Sequence, residues 1–334
     1  VKKAGLTSLD NVRIYGYGGG LQPEKLTADY LMETDDLQQL PTCRVDGRKF
    51  FYGIGPVTWD ESFQRVRNPY SNYGYYFLTE NDEEDYVIDK DTFLQQFYPL
   101  ADDYCSLYEV DDFAWFHGGR NLYDAKELIA GNDYTYEIPS TGTTAEGLVT
   151  VCLSAEDGAR VEVKVNEGEP HSMVVEQNGS YEKMRTETLT FGVTNLQAAN
   201  QVVLTPQAGS GTVRLDYISI YANKPKPAPE LAKTYAEPKL VGRITNQNHH
   251  AAEAADMVIV IPTTQTLLAQ AERLKALHEE HDGLRVQIIP ADELFNEFSS
   301  GTPDANAYRR YLKMLYDRAE TEDEMPKFLL LLGD

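Results

Sequence analysis

The run "DMVIVIP", residues 256–262, decides the fold of the carboxyl-terminal part of this 334-residue chain. It is continuously apolar, as are strands of parallel sheets that are covered on both faces. A helical pattern follows and ends at Gly283. Its apolar face consists of Leu267, Leu268, Ala271, Leu274 and Leu277. A second strand ("LRVQIIP"), two helical segments and a third strand complete the order β-α-β-α-α-β, which predicts parallel strands with right-handed crossovers over residues 256–334.

The third strand is the run "KFLLLLGD", residues 327–334, and we expect it to be buried on both faces. It brings Gly333 and Asp334 to the sheet edge where catalytic and ligand-binding groups gather in open α/β sheets. Three parallel strands alone would leave an unpaired edge, so more strands are expected. The helix before this strand is predicted to begin with Thr302 as N-cap and Pro303 at its first helical position.

Residues 131–222 contain seven short runs that alternate apolar and polar residues. They are "YTYEIP", "GLVTVCLSA", "ARVEVKVNEG", "HSMVVEQ", "RTETLTFGV", "NQVVLTPQ" and "TVRLDYISIYA". Such spacing predicts an antiparallel, jelly-roll-like β-sandwich. In the last run, Val213, Leu215 and Tyr217 are expected on one face. The proline-rich residues 223–255 predict a stiff linker or a strap over a neighbouring part of the protein.

Residues 1–130 are rich in Tyr, Phe, Gly and Asp and predict a mainly β domain with some helix. Residues 11–20, 48–59 and 73–80 read as strands, whereas residues 107–128 allow a helix. The predicted fold class is therefore multidomain α+β. It comprises a mainly-β amino-terminal domain (1–130), the β-sandwich (131–222), the linker (223–255) and an incomplete parallel-sheet α/β lobe (256–334).

The chain is strongly acidic, with 53 Asp and Glu against 30 Lys and Arg and a net charge of -23. This charge argues against nucleic acid and anionic lipid as partners. The three cysteines, Cys43, Cys105 and Cys152, form no C-x-x-C pair and are expected to be small buried side chains. The sequence encodes no apolar run of membrane-spanning length and no signal peptide, and both ends look like cuts in something longer.

Several motifs are weak candidates for chemistry. "YGYGGGLQP" starts like a dinucleotide fingerprint, but Leu21 and Pro23 break it, which leaves a glycine-rich turn. In "HEEHDG", His278 and His281 stand three residues apart without a third metal ligand. His249 and His250 are expected in a solvated connector, and His117 in a packed loop. The sequence therefore assigns no catalytic, cofactor-binding or metal residue, and no cofactor.

Two acidic runs leave calcium binding open. They are "NDEEDYVIDKD" (residues 81–91) and "ETEDEMP" (residues 320–326). Neither has the spacing D-x-[DN]-x-[DN]-G that wraps a cation. A solvated acidic face is the default interpretation of both.

Three amino-terminal runs carry a family resemblance: "NVRIYGYGGGLQPE" (11–24), "FFYGIGPVTW" (50–59) and "RNPYSNYGYYFLT" (67–79). Together with "DMVIVIP", "AYRRYLKMLYDR" and "PKFLLLLGD", they resemble the amino-terminal portion of gingipain-type cysteine peptidases. The subgroup they resemble most is the C-terminal signal peptidase, or sortase, of the Bacteroidetes type IX secretion system (PorU-like proteins). The resemblance extends over nearly the whole chain and implies that the α/β lobe is caspase-like.

The resemblance also implies a secreted peptidase, extracellular or at the outer-membrane surface, that processes C-terminal sorting domains. It implies a His/Cys dyad on later strands, beyond Asp334, so this chain alone is expected to be inactive. The alternative is a cell-surface carbohydrate- or protein-binding β-sandwich, because 22 tyrosines could stack on sugar rings. The "NPYSNYGYY" loop and Trp59 are its candidate contacts.

Overall fold

The computed structural model describes residues 2–117, 119–231, 235 and 237–333; the predicted role of Asp334 lies outside them. The strands are β1 (Val12–Tyr15), β2 (Thr42–Val45), β3 (Arg48–Phe51), β4 (Val57–Trp59), β5 (Arg65–Arg67), β6 (Phe77–Glu80), β7 (Cys105–Glu109), β8 (Glu127–Leu128), β9 (Tyr134–Pro139), β10 (Gly147–Ala155), β11 (Ala159–Val165), β12 (His171–Val175), β13 (Arg185–Val193), β14 (Ala199–Pro206), β15 (Val213–Ala222), β16 (Met257–Ile261), β17 (Val286–Pro290) and β18 (Phe328–Leu331). The α-helices are α1 (Ala28–Thr34), α2 (Lys90–Phe97), α3 (Ala101–Tyr104), α4 (Leu268–His281), α5 (Ala291–Phe298) and α6 (Asn306–Arg318).

The chain folds into two compact units. The first contains residues 1–57, 67–93 and 231–334, and the second contains residues 58–66 and 94–230. In the described residues, no helix is both long and apolar enough to span a membrane.

The second unit is built on an antiparallel β-sandwich. One sheet has the order β13-β10-β15-β7, with β8 also paired to β15, and the other has the order β12-β11-β14-β9. The apolar positions of the alternating runs face one another in a continuous core that includes Val151, Leu153, Val163, Leu204 and Ile218, all fully buried. All seven strands predicted for residues 131–222 are therefore confirmed, because alternation reports directly which side chains face the second sheet.

Strand β15 departs from simple alternation. The register of the pairing with β10 shifts between Cys152 and Leu153, so that Leu215 is paired with Leu153 whereas Tyr217 is paired with Cys152. The extra residue, Asp216, forms a β-bulge. The side chains after it therefore point to the opposite faces of the sheet from those that simple alternation gives. The prediction that Tyr217 shares a face with Leu215 is therefore wrong. Beyond the bulge, Ile218 and Ile220 continue the core face instead.

The α/β lobe of the first unit is a parallel sheet with the order β17-β16-β18. Helices α5 and α6 cover one face, where Val258, Val260 and Ile289 pack against Leu294 and Tyr311. Helix α4 covers the other face through Ala271, against Ile259 and Ile261. The predicted β-α-β-α-α-β order with parallel strands is confirmed.

Three details of the lobe differ from expectation. Strand β18 is not buried: Phe328, Leu329 and Leu331 are 52, 42 and 55% exposed, because β18 is an edge strand of the described sheet. Helix α6 begins at Asn306, not at Pro303, since the Asp304 carboxylate accepts the Asn306 N–H and the Thr302 hydroxyl donates to the Gly18 carbonyl instead. In α4 only Ala271 is buried, and Leu268 and Leu277 are exposed.

The amino-terminal residues of the first unit form short strand pairs. Strand β1 pairs antiparallel with β6, and β2 pairs with β3. The helix considered for residues 107–128 is wrong: the described part of this stretch holds the end of β7, an isolated bridge between Phe113 and Tyr123, and β8. The pairing of these short segments with β15 outweighs their local helical pattern.

Candidate functional site

The carboxyl edge of the parallel sheet is the first place to look for chemistry. Strand β16 runs into Pro262, and Gly333 lies beside it after β18. A Cβ at Gly333 would lie 2.8 Å from Pro262 Cγ, and its φ of 150° also favours glycine. In the segment that follows Pro262, the hydroxyls of Thr264 and Thr266 lie 3.3 Å apart. In the part of the chain that the structure describes, this edge carries hydroxyls but no thiol–imidazole pair.

The three cysteines are free and buried, with 0, 6 and 4% of Cys43, Cys105 and Cys152 exposed. Burial raises the pKa of each thiol, that of Cys105 to about 12. For Cys152 the negative charge of Asp216 adds to the effect of burial. Nucleophilic thiols need the opposite environment, which stabilises the thiolate.

We expect these thiols to be inert in the folded chain. When the native protein is mixed with an aromatic disulfide reagent at pH 8, no equivalent of the reagent's thiolate should be released rapidly. In urea, all three thiols should react. Absorbance of the released thiolate measures both. A rapid equivalent from the native chain would contradict the burial described here.

Four of the six histidines fall into two separate pairs. His278 and His281 both contact Asp282, with Nδ1 to carboxylate distances of 2.7 and 2.9 Å, at the end of α4. His249 and His250 form a short 3₁₀ helix, and both contact α5. The prediction that these two lie in a solvated connector is therefore wrong.

The glycine-rich turn after β1 contacts other parts of the chain. Gly18 has a φ of 80°, and a Cβ there would lie 2.6 Å from the Ile54 carbonyl oxygen. The turn also contacts the segment between α5 and α6, because Ser300 Oγ accepts the Tyr17 N–H. These contacts account for the glycines by close packing of backbone.

One carboxylate of the first acidic run, that of Asp85, forms ion pairs with basic side chains. Asp85 lies 2.8 Å from Lys49 Nζ and 3.0 Å from an Arg44 nitrogen, with Arg13 at 3.9 Å. Burial opposes ionisation of Asp85, but the hydrogen bonds from Lys49 and Arg44 outweigh it and lower its pKa. Lys49 is itself nearly inaccessible and also donates to the Val12 carbonyl. These cations offset the negative charge of Asp85.

One cluster of metal-ligand type was not predicted from sequence. Glu109, Asp111 and Asp216 place carboxylate oxygens within 4.8 Å of one another. Arg65 lies against it, paired with Glu109 and 3.5 Å from Asp216, and its guanidinium stacks on Tyr217. Because the β-bulge places Asp216 beside Glu109, only the register of β15 could have revealed the cluster. Because Arg65 pairs with two of these carboxylates, we interpret the cluster as a structural ion-pair group.

The side chains predicted to contact sugars differ in how far they are engaged in hydrogen bonds within the protein. Trp59 Nε1 donates to Asp102 at 2.8 Å, and the Tyr76 hydroxyl accepts the Ile54 N–H. Tyr73 remains 65% exposed at the tip of its loop.

Comparison with known proteins finds a family match in the α/β lobe. The sequence model of Peptidase family C25 matches residues 250–334. No curated protein sequence matches the chain. Among solved structures, the chain is similar over 100% of its length to dimeric latent PorU from Porphyromonas gingivalis, with 24% identity and a TM-score of 0.74. It spans 40% of the length of that PorU chain.

A carbohydrate-binding module, CBM35 from Cellvibrio japonicus Abf62, is similar to 37% of this chain over 98% of its own length, with 14% identity. Its TM-score is 0.28, from which nothing follows for this chain. At 24% identity the likeness to PorU shows a shared fold, and the predicted fold class is confirmed. Residues 250–334 therefore match the sequence model of Peptidase family C25, and the chain as a whole shares the multidomain, β-rich fold of PorU, with a parallel-sheet α/β lobe.

Proposed function

We propose that this chain is the amino-terminal part of a secreted gingipain-like cysteine peptidase of the C-terminal signal peptidase, or sortase, type. The observation that carries the proposal is the exposed edge strand β18, in a parallel sheet whose sequence matches peptidase family C25.

The surface around β18 is suited to an additional strand and helix. Phe328, Leu329 and Leu331 on the strand and Tyr316 on α6 are each more than 40% exposed. An open hollow of about 420 Å³ lies between α6 and β18. A parallel edge strand with this apolar content is an aggregation hazard unless it is paired or covered. We infer that further strands of the same peptidase domain cover it in the parent protein.

The catalytic dyad is assigned to that further part of the domain. In such a peptidase a thiolate attacks the scissile carbonyl, and an imidazole activates the thiol and protonates the leaving amine. The buried cysteines of this chain, with their raised pKa values, do not suit that role. We therefore place the His/Cys dyad outside residues 1–334, which agrees with a chain that spans 40% of the PorU chain.

The partners follow from the same proposal. The parent would bind the C-terminal sorting domains of exported proteins, outside the cell or at the outer-membrane surface. It would cleave them, and a surface glycan amine could then take the acyl group in place of water. This chain would support the fold of the catalytic lobe and contribute to substrate docking.

An assay of two proteins tests the proposal. The parent protein should release a C-terminal sorting domain from a model substrate, and iodoacetamide should abolish the release by alkylating the catalytic thiolate. Residues 1–334 alone, at equal concentration, should release none. Mass spectrometry of the products separates hydrolysis from transfer to an added amine.

Thiol-dependent cleavage by residues 1–334 alone would contradict the placement of the dyad. A parent protein that binds glycans in a calorimetric titration but cleaves no sorting domain would instead favour the carbohydrate-binding alternative.

A further inference from the structure

His250 lies between two carboxylates that come from different parts of the first unit. Its Nδ1 is 2.7 Å from the Glu297 carboxylate on α5. Its Nε2 is 3.7 Å from the carboxylate of Asp35, the C-cap residue directly after α1. The imidazole stacks on the Phe298 ring with 4.5 Å between centroids. The contact with α5 is reinforced, since the Glu297 carboxylate also accepts the backbone N–H groups of His249 and His250.

The two ring nitrogens have different roles. An ionised carboxylate only accepts hydrogen bonds, so Nδ1 carries a proton toward Glu297. Burial opposes ionisation of Glu297, but the hydrogen bonds from His250, from Gln247 and from the backbone outweigh it and lower its pKa to about 2. The proton that His250 can lose is therefore on Nε2. That nitrogen is buried and faces Asp35, whose carboxylate lies 3.7 Å away.

The other charged groups around the ring are few. On α5, Glu293 pairs with His249 at 2.7 Å. On α6, Arg318 donates to the backbone carbonyl of His250, so its charge is directed at the backbone. Protonated His250 thus faces net negative charge from α5 and from the end of α1. Neutral His250 would present the lone pair of Nε2 to the Asp35 carboxylate.

We propose that His250 is a proton-operated clasp, which strengthens the contact between the end of α1 and the α/β lobe when its ring is charged and weakens it when Nε2 loses its proton. The contact with Glu297 persists in both states because it uses the other nitrogen. Loss of the proton therefore weakens one specific junction, between Asp35 and His250, and leaves the 3₁₀ helix attached to α5.

The pH window follows from the direction of the pKa shift. The hydrogen bond to Glu297 raises the pKa of His250, burial opposes it, and the charges of Glu297 and Asp35 and the backbone of Asp35 raise it further. A histidine whose pKa is raised in the folded state stabilises that state fully below its unfolded value, about 6.5. That stabilisation is lost as the pH rises through the folded value. The clasp is therefore closed in mild acid and opens as the pH rises through the raised pKa of His250.

The test combines NMR titration with hydrogen exchange. In the ¹³C-histidine-labelled chain, the signal that His250→Gln removes should titrate above the ordinary histidine value, and Asp35→Asn should lower its midpoint. Amides of α1 should lose about two- to fivefold of their protection above that midpoint, after correction for intrinsic exchange, as expected for a partly exposed ion pair. The loss should be absent in Asp35→Asn.

His278→Gln is the matched control, because His278 also pairs with a carboxylate but at the end of α4, and it should leave both readouts unchanged. Asp35 is largely exposed, so its substitution should not impair folding. A His250 signal that titrates at the ordinary value, or a midpoint that Asp35→Asn does not move, would overturn the proposal.

Discussion

Replacing Arg310 with methionine should destabilise the first unit by about 3–5 kcal/mol, because it leaves several buried acceptors without a donor. Arg310 is only 2% exposed. Its guanidinium donates to the carbonyls of Phe298 at 2.9 Å and Thr34 at 2.6 Å, and to the Tyr17 hydroxyl at 3.0 Å. One side chain of α6 thus holds both the amino-terminal segment and the end of α5.

The spectroscopic probes of the chain separate the two units. Both tryptophans, Trp59 and Trp115, lie in the second unit, whereas α4, α5 and α6 lie in the first. In Arg310→Met, the urea midpoint of the helical circular dichroism signal should fall, and the midpoint of tryptophan fluorescence should change little. The neighbouring Arg309 is exposed and supplies the control, since Arg309→Met should cost about 1 kcal/mol or less. Equal effects of the two substitutions would contradict the role given to Arg310.

Asp256→Asn should lower the stability of the first unit by about 2–3 kcal/mol. The Asp256 carboxylate accepts from the backbone N–H and side chain of Arg285 at 2.8–3.1 Å and from Lys327 Nζ at 3.0 Å. Arg285 and Lys327 precede β17 and β18, so this carboxylate joins the amino ends of all three strands of the described parallel sheet. The partial exposure of both cations limits the cost, because they can be hydrated once the charge is gone.

The pH dependence of the same group gives a second measurement of this prediction. The hydrogen bonds from Arg285 hold the pKa of Asp256 far below its usual range, and the bond from Lys327 adds to them against the effect of burial. A lowered carboxyl pKa gives stability above the unfolded value, about 3.9, that is lost as the pH falls. Urea midpoints of the wild type should fall below about pH 4 more steeply than those of Asp256→Asn.

Asp317→Asn is the control for Asp256, because Asp317 forms an exposed pair with Lys313 on α6. Its free energy of unfolding should remain within about 0.5 kcal/mol of that of the wild type. If Asp256→Asn were equally mild, the carboxylate would not be the junction of the sheet.

The sandwich and the order of the α/β lobe were predictable because burial on one or both faces leaves a period in the sequence. The alternation in "ARVEVKV" indicates a strand buried on one face, and the unbroken run "MVIVI" indicates a strand buried on both faces. The bulge at Asp216 leaves no such signal, since a single extra residue in β15 looks like ordinary alternation until its partner strand is known. The carboxylate group around Arg65 was missed for that reason.

The exposure of β18 could not be predicted from its composition, because burial depends on what lies beside a strand and "FLLL" fits a central strand and an uncovered edge equally. The histidine clasp was missed for a related reason. Asp35, His250 and Glu297 are far apart in sequence, and only the packing of α1 and α5 in the first unit brings them together. Long-range side-chain pairs of this kind leave no local period.

The most direct test of the central claim is to determine the coding sequence of the parent protein after Asp334. We expect further strand and helix patterns, with a histidine and a cysteine at the carboxyl ends of successive strands. These strands would cover β18 and supply the dyad. A stop codon or an unrelated domain directly after Asp334 would contradict the assignment of this chain to the front part of a cysteine peptidase.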